Sequence, residues 1–316
     1  MLHPSSQVKE KIPTLIFFGI LSKIIILWHV NIVFMRVFEV KSTILKKAYK
    51  KRNKWCHKYD FGHLLVIGGS KHYSGSPAFN ALAALRAGVD LVTIVAPERA
   101  ANIIASFSPD LIAYPLKGNY LSKRHLKELF EFSKNKDAVV IGGGLTRRKE
   151  VLEAVVRYLE KIELPAVIDA DAIHAVAREK KVLKGRKFIL TPHSREVEVL
   201  TGIKLTSNVN QRIKAVKEAA HRLKATILLK GHVDVISDGR RVALNRSGSV
   251  YMTKGGMGDT LGGICGALLA RKIDCFTSAC AAAYINGRAG ELAARKSGEG
   301  MMASDLIKEI PRAIKV

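Results

Sequence analysis

From residue 64 onward the chain alternates short, unbroken apolar runs with longer stretches in which apolar residues recur every three or four positions. Residues 64–67, 91–95, 138–141, 166–168, 188–190 and 226–229 are such runs, each followed by glycine, proline or polar turn residues. Unbroken runs, as opposed to strict alternation, suit strands buried on both faces, the state of a parallel sheet covered by helices. The helical period predicts helices over 76–87, 97–104, 122–133, 147–161, 208–223, 259–271, 276–296 and 304–310. Strand and helix in regular succession read as βα units. Val233 to Ser237 and Arg241 to Leu244 flank Asp238-Gly239, a pair suited to a two-residue hairpin turn. The expected fold is α/β, with a mainly parallel central sheet, a C-terminal antiparallel hairpin and two consecutive closing helices.

The first 34 residues do not follow this pattern. Ile12 to Phe34 is nearly all apolar, interrupted by Pro13, Lys23, His29 and Asn31. Three readings of it stay open. A membrane helix needs about 20 mostly apolar residues, which the stretch supplies, although Lys23 near its middle costs about 3 kcal/mol. A signal peptide would have such an apolar region, yet no small-x-small cleavage site precedes the basic residues that follow. A start at Met35 would leave the stretch outside the protein. The chain is expected to divide into an apolar leader or membrane segment over 1–34, a basic segment over 35–57 and one α/β domain over 58–316.

Charge then enters as a possible sign of nucleic acid. Lys and Arg number 52 against 27 Asp and Glu, a formal net charge of +25. The excess is concentrated only between Arg36 and Lys58 and is otherwise spread over predicted helix surfaces. No helix-turn-helix, RNP or zinc pattern accompanies it, so nucleic acid is not expected as the main ligand. A phosphate-rich nucleotide accounts for a diffuse excess equally well. Cys56, Cys265, Cys275 and Cys280 form no CxxC pair and no Cys/His spacing suited to zinc, which points to reduced thiols in a cytoplasmic protein.

The most informative segment is Thr253-Lys254-Gly255-Gly256-Met257-Gly258-Asp259-Thr260-Leu261, where three glycines lead into an apolar-striped helix that starts at or near Asp259. Unpaired N–H groups at a helix start carry partial positive charge, and glycines let phosphate oxygens approach them closely. A tight turn capped by Asp259 would explain one carboxylate and one glycine, but does not call for three glycines. The loop also comes late in the chain, unlike the dinucleotide-binding order in which it follows the first strand.

Gly-Gly-Met-Gly-Asp before a helix resembles the GxGD signature of the ribokinase-like superfamily. Thr191-Pro192-His193-Ser194-Arg195-Glu196 resembles a TPHxxE element, though a proline-started helix capped by Glu196 would read the same. Lys230-Gly231-His232-Val233-Asp234 resembles a KGxxT/D loop. Tyr73-Ser74-Gly75-Ser76-Pro77 resembles YxGAP, with Ser76 where alanine is common. Gly142-Gly143-Gly144-Leu145 resembles GPGLG, with Thr146 in place of the last glycine, and Val167 to Ala172 resembles VLDADAL, whose aspartates face the cleft or cap a helix. Together, over roughly residues 58–310, these segments are similar to those of ADP- or ATP-dependent NAD(P)H-hydrate dehydratases.

The resemblance implies a ribokinase-like three-layer α/β/α sandwich that uses ADP or ATP with Mg²⁺ to dehydrate NADHX or NADPHX. It implies Asp259 as the catalytic base and Gly255, Gly256 and Gly258 as the anion hole. Tyr73, Gly75, Ser76, Gly144, His193 and Asp259 would hold the hydrate. Lys230, Gly231, His232, Val233, Asp234 and Gly258 would hold the nucleotide, and Glu196 would reach Mg²⁺ through water. A separate NAD(P)HX epimerase is an expected partner, and a homo-oligomer the expected assembly. Two other functions are open: a small-molecule kinase of the same fold acting on a hydroxymethyl or sugar alcohol, and a nucleotide- or RNA-binding protein without activity.

Overall fold

The computed structural model describes residues 37–315. Ten strands form one sheet: β1 (Val37–Glu39), β2 (His63–Ile67), β3 (Leu91–Pro97), β4 (Ile112–Leu116), β5 (Ala138–Ile141), β6 (Ala166–Ile168), β7 (Phe188–Leu190), β8 (Thr226–Leu229), β9 (Asp234–Ser237) and β10 (Val242–Asn245). Their order is β1-β10-β9-β8-β7-β6-β5-β2-β3-β4. From β8 to β4 every neighbouring pair is parallel, with registers such as Leu65 opposite both Thr93 and Val139. The pairs β8–β9 and β9–β10 are antiparallel, and β1 runs parallel to β10 at the edge.

The helices are α1 (Leu45–Ala48), α2 (Gly75–Arg86), α3 (Glu98–Ala105), α4 (Leu126–Ser133), α5 (Lys149–Lys161), α6 (Asp171–Arg178), α7 (Ser194–Thr201), α8 (Val209–Leu223), α9 (Met257–Ala270), α10 (Cys275–Ser297) and α11 (Ala303–Ala313). Alternate strand residues Leu64, Val66, Ile94, Val140, Val167, Ile189, Leu228 and Ile236 join one core cluster with apolar residues of α2, α3, α9, α10 and α11. The intervening residues Leu65, Ile67, Val139 and Ile141 are equally buried. Burial on both faces is why these strands read as unbroken apolar runs. The result is a three-layer α/β/α sandwich.

One expectation needs correction. The hairpin turn between β9 and β10 has four residues, 238–241, because Val242 pairs with Ser237. The Asp238 carboxylate accepts the N–H groups of Arg240 and Arg241 at 2.9 and 2.7 Å and so closes the longer turn. Helix α9 begins at Met257, which puts Asp259 inside its first turn and not at its cap. Segment 37–57 is packed against the rest: 37–316 forms one compact unit, with Leu45 and Ala48 buried. Among the described residues no helix is long and apolar enough to cross a membrane, and the Ile12 to Phe34 stretch lies outside them.

Candidate active site

In chain order β2 leads outward to β3 and β4, and the chain then returns to β5 on the other side of β2. Crossovers leaving this pair in opposite directions open a crevice at the carboxyl ends of the strands. The loops that follow the central strands meet there. Gly69 N–H bonds Gly143 O at 2.8 Å, joining the loops after β2 and β5, and Lys230 N–H bonds Pro192 O at 2.9 Å, joining those after β8 and β7. A Cβ on Gly144 would come within 2.8 Å of Tyr73 Cβ, so the 73–77 and 142–144 loops are in close contact.

The amino end of α9 faces the same crevice. Gly256 has φ +89° and would meet Ala303 Cβ and Phe79 at 2.8 Å if it carried a Cβ, so only glycine fits there. Gly255 has open space around it, and a Cβ on Gly258 would lie 3.5 Å from Lys230 Nζ. The helix has no side-chain cap, so its first N–H groups stay available to an anion. Asp259 Oδ1 accepts the Ser76 hydroxyl, and Asn80 Nδ2 donates to the Asp259 backbone carbonyl at 2.6 Å. Burial pushes the Asp259 carboxyl up to about 6, opposed by the Ser76 bond, raised further by Asp169 and lowered by Lys230.

Beside it lies an ion pair. Lys230 Nζ donates to Asp169 Oδ1 at 2.9 Å, and Thr191 Oγ1 donates to the same oxygen at 2.7 Å. Burial alone would lower the Lys230 pKa, but Asp169, Glu196 and Asp259 together hold it above its ordinary value. The pair therefore remains an ammonium next to the glycine turn. Asp171 accepts Thr146 N–H at 2.8 Å and Arg147 Nε–H at 3.1 Å, so it ties down the loop after β5.

His193 precedes α7 as its cap. Its Nδ1 accepts the N–H groups of Arg195 and Glu196 at 3.1 and 3.3 Å, and the Glu196 carboxylate returns a bond to His193 N–H at 2.8 Å. Burial, then the Lys230 charge, lowers the His193 pKa, so the ring is neutral at pH 7. With Nδ1 accepting, the proton sits on Nε2, on a half-exposed side chain. Glu196 is buried and its carboxyl is pushed up to about 6 by that burial. Asp234 is turned inward, where it accepts Gly231 N–H at 3.0 Å and Asn245 Nδ2 at 2.9 Å and fixes the 230–233 loop. Val233 is buried, whereas Gly231 and His232 are exposed.

With this geometry in view, the family model described as NAD(P)H-hydrate dehydratase matches residues 64–312. The chain belongs to that family. The ADP-dependent (S)-NAD(P)H-hydrate dehydratase of Cenarchaeum symbiosum is 36% identical over 273 residues, which cover 86% of this chain and 94% of that protein. The bifunctional NAD(P)H-hydrate repair enzyme of Pyrobaculum aerophilum is 44% identical over 260 residues, 82% of this chain but 51% of its own length. The chain thus spans about half the length of such bifunctional relatives. The crystal structure of the ADP/ATP-dependent NAD(P)H-hydrate dehydratase from Bacillus subtilis, co-crystallised with ATP/Mg²⁺, superposes with a TM-score of 0.77 at 26% identity, covering 88% of this chain and 98% of that one. The fold is ribokinase-like.

One residue of this family member's crevice escaped sequence reading, Asn80, which holds Asp259; Thr191, which donates to Asp169, and Gly143, where a Cβ would meet both Ser76 and Asp259, were read only as parts of their motifs. Asn80 had a signal, as a polar residue on the apolar face formed by Pro77, Ala81 and Ala84. Among the described residues no three His, Cys, Asp or Glu side chains gather as a metal site. Besides Asp259, the carboxylates that act on the Lys230 ammonium are Glu196 and Asp169. Such a sparse set fits Mg²⁺, which keeps several waters and is held through one or two carboxylates plus phosphates.

Proposed function

We propose that the chain dehydrates the S form of NADHX and NADPHX at the expense of ADP or ATP, restoring NADH and NADPH. The observation that carries this reading is the Asp259 carboxylate at the uncapped amino end of α9, touching the Ser76 hydroxyl in the first turn of α2 and lying near the Lys230 ammonium. An alcohol and a polyphosphate can meet there. Asp259 accepts the proton of the hydrate hydroxyl as its oxygen forms a bond to the terminal phosphorus and the phosphoanhydride bond breaks. The C–O bond then breaks with loss of phosphate, a far better leaving group than hydroxide, and loss of a ring proton restores the dihydropyridine.

In this scheme the amides around Gly255, Gly256 and Gly258 stabilise the charge on the phosphoryl oxygens. Lys230 and the 230–234 loop hold the nucleotide. His193, through Nε2–H, and the Tyr73, Gly75, Ser76 and Gly144 loops orient the hydrate. Mg²⁺ would arrive with the nucleotide and neutralise phosphate charge, with Glu196 contacting it through water. We further infer a cytoplasmic homo-oligomer served by a separate epimerase; the bifunctional name of a relative twice as long supports the last of these alone.

The test is to incubate the protein with NADHX, Mg²⁺ and ADP or ATP and follow dihydropyridine absorbance together with phosphate release. Equal amounts of NADH and phosphate are expected, and neither from Asp259→Ala. A stable phosphate ester without NADH would assign a kinase of the same fold instead. Nucleotide left intact, with NADH recovery equal in wild type and variant, would end the reading.

A further inference from the structure

Ser76 of α2 and Gly143 of the loop after β5 lie side by side at Asp259. Ser76 lies in the first turn of α2, which has no side-chain cap, so its hydroxyl is not spent on the helix. That hydroxyl instead donates to Asp259 Oδ1. A Cβ at position 143 would come within 2.8 Å of Ser76 Oγ and 3.0 Å of Asp259 Oδ1. The serine oxygen therefore uses space that any side chain at 143 would claim.

We propose that Ser76 is a positioning residue for Asp259 and that Gly143 makes room for it, the pair committing one carboxylate oxygen to the serine and leaving the other for the substrate hydroxyl. This rests on the reading of Asp259 as the base. The groups facing that carboxylate are few. Asp169 from the end of β6 and Lys230 from the end of β8 are the charged ones, and Glu196 of α7 acts on Lys230 in turn. From α2 come only the neutral Ser76 and Asn80. The hydroxyl stabilises the ionised carboxylate alone, so its removal lets burial push the acid higher.

Ser76→Ala removes the hydroxyl and keeps the Cβ, so it deletes the bond to Asp259 with the smallest change of volume. Two readouts are needed, the ¹³C-carboxyl titration of Asp259 in the protein alone and the acid limb of kcat for nucleotide-dependent NADH recovery. Both are expected to move to higher pH by roughly one unit, the size of one hydrogen bond to a charged group. Turnover at pH 6 then falls about fivefold relative to turnover at pH 8, as a one-unit shift requires and as a loss of hydrate contacts alone would not produce. Gly143→Ala is expected to impair wild type more than it impairs Ser76→Ala, because the closest clash is with the serine oxygen. An unmoved titration and acid limb, or equal damage from Gly143→Ala in both backgrounds, would overturn the proposal. A moved titration in a protein that returns no NADH at any pH would instead sink the dehydratase reading and leave the serine–aspartate pairing standing.

Discussion

A carboxylate that must take a proton near neutrality is costly to bury in its charged form, and Asp259 carries that cost. Its pKa in the folded protein, about 6, lies above the ordinary value of 3.8. The folded state therefore binds more protons than the unfolded one between roughly pH 4 and 6, and this group's contribution to stability falls as pH rises through that window. Asp259→Asn keeps an acceptor for Ser76 but removes the charge. We expect turnover to drop by roughly 10²- to 10⁴-fold, the range of a lost general base. Stability at pH 7 should rise by about 1–2 kcal/mol, the gain fading toward pH 4. Urea unfolding at the two pH values checks this, and an inactive variant with no gain at pH 7 would contradict the burial cost. Thr146 bears a different strain. It sits at φ +79°, left-handed backbone that disfavours a branched side chain, at the position of the last glycine in GPGLG. Thr146→Gly should raise stability by about 0.5–1 kcal/mol, strain relief outweighing the glycine's entropy, as a thermal melt would show.

Among the elements, α9 decides whether the site exists, because it must lie close enough to α2 for Asp259 to reach Ser76. Gly263 allows this: a Cβ there would come within 2.1 Å of Asn80 O, and one on Gly266 within 2.3 Å of Val140 Cγ2. Gly263→Ala must push the helices apart. We expect a loss of about 1–3 kcal/mol, typical of overpacking, and a fall in NADH recovery larger than the unfolded fraction explains. Activity falling only in step with unfolding would show that α9 can shift without disturbing Asp259. The sequence announced α9 by its apolar stripe and glycine turn, but not the partner those glycines pack against. The same limit runs through the fold. Strands buried on both faces were legible as apolar runs, whereas β4 was not, since Pro115 interrupts it and only Leu116 is buried. Strand β1 is three exposed residues and owes its place to pairing with β10. At the site, Asp259, His193 and Lys230 each stood out in the sequence singly, by motif. The Lys230–Asp169 pair, 61 residues apart in sequence, arises only when β6 and β8 flank β7 in the sheet.

For the molecule as a whole the open question is where the folding unit starts, and the packing of 37–57 bears on it. Composition marks this segment as a basic arm, and a net charge of +25 would favour detachment of an arm held by charge alone. It is held otherwise. Strand β1 covers the edge of β10, and Val40 N–H continues the pairing to Leu244 O at 2.8 Å. Leu45 and Ala48 are 2% exposed within the core that includes α9 and α10. Tyr49 donates its hydroxyl to Ala87 O at 3.0 Å, and Arg271 from the end of α9 reaches Gly88 O at 2.8 Å beneath the Tyr49 ring. The turn at 87–90 leads into β3, so these contacts gather at the amino ends of the strands, opposite the crevice. A chain of residues 58–316 should therefore be less stable than one of residues 37–316 by about 3–5 kcal/mol, from the apolar area left uncovered. Its melting temperature should be lower by roughly 6–15 °C. NADH recovery per folded molecule at 25 °C should be the same for both, because Val40, Tyr49 and Arg52 bond to Leu244 of β10 and to the 87–90 turn, away from the crevice loops. Coincident melting curves would show that the arm is dispensable. A shorter chain that stays folded but loses turnover would show that the arm communicates with the site through α9.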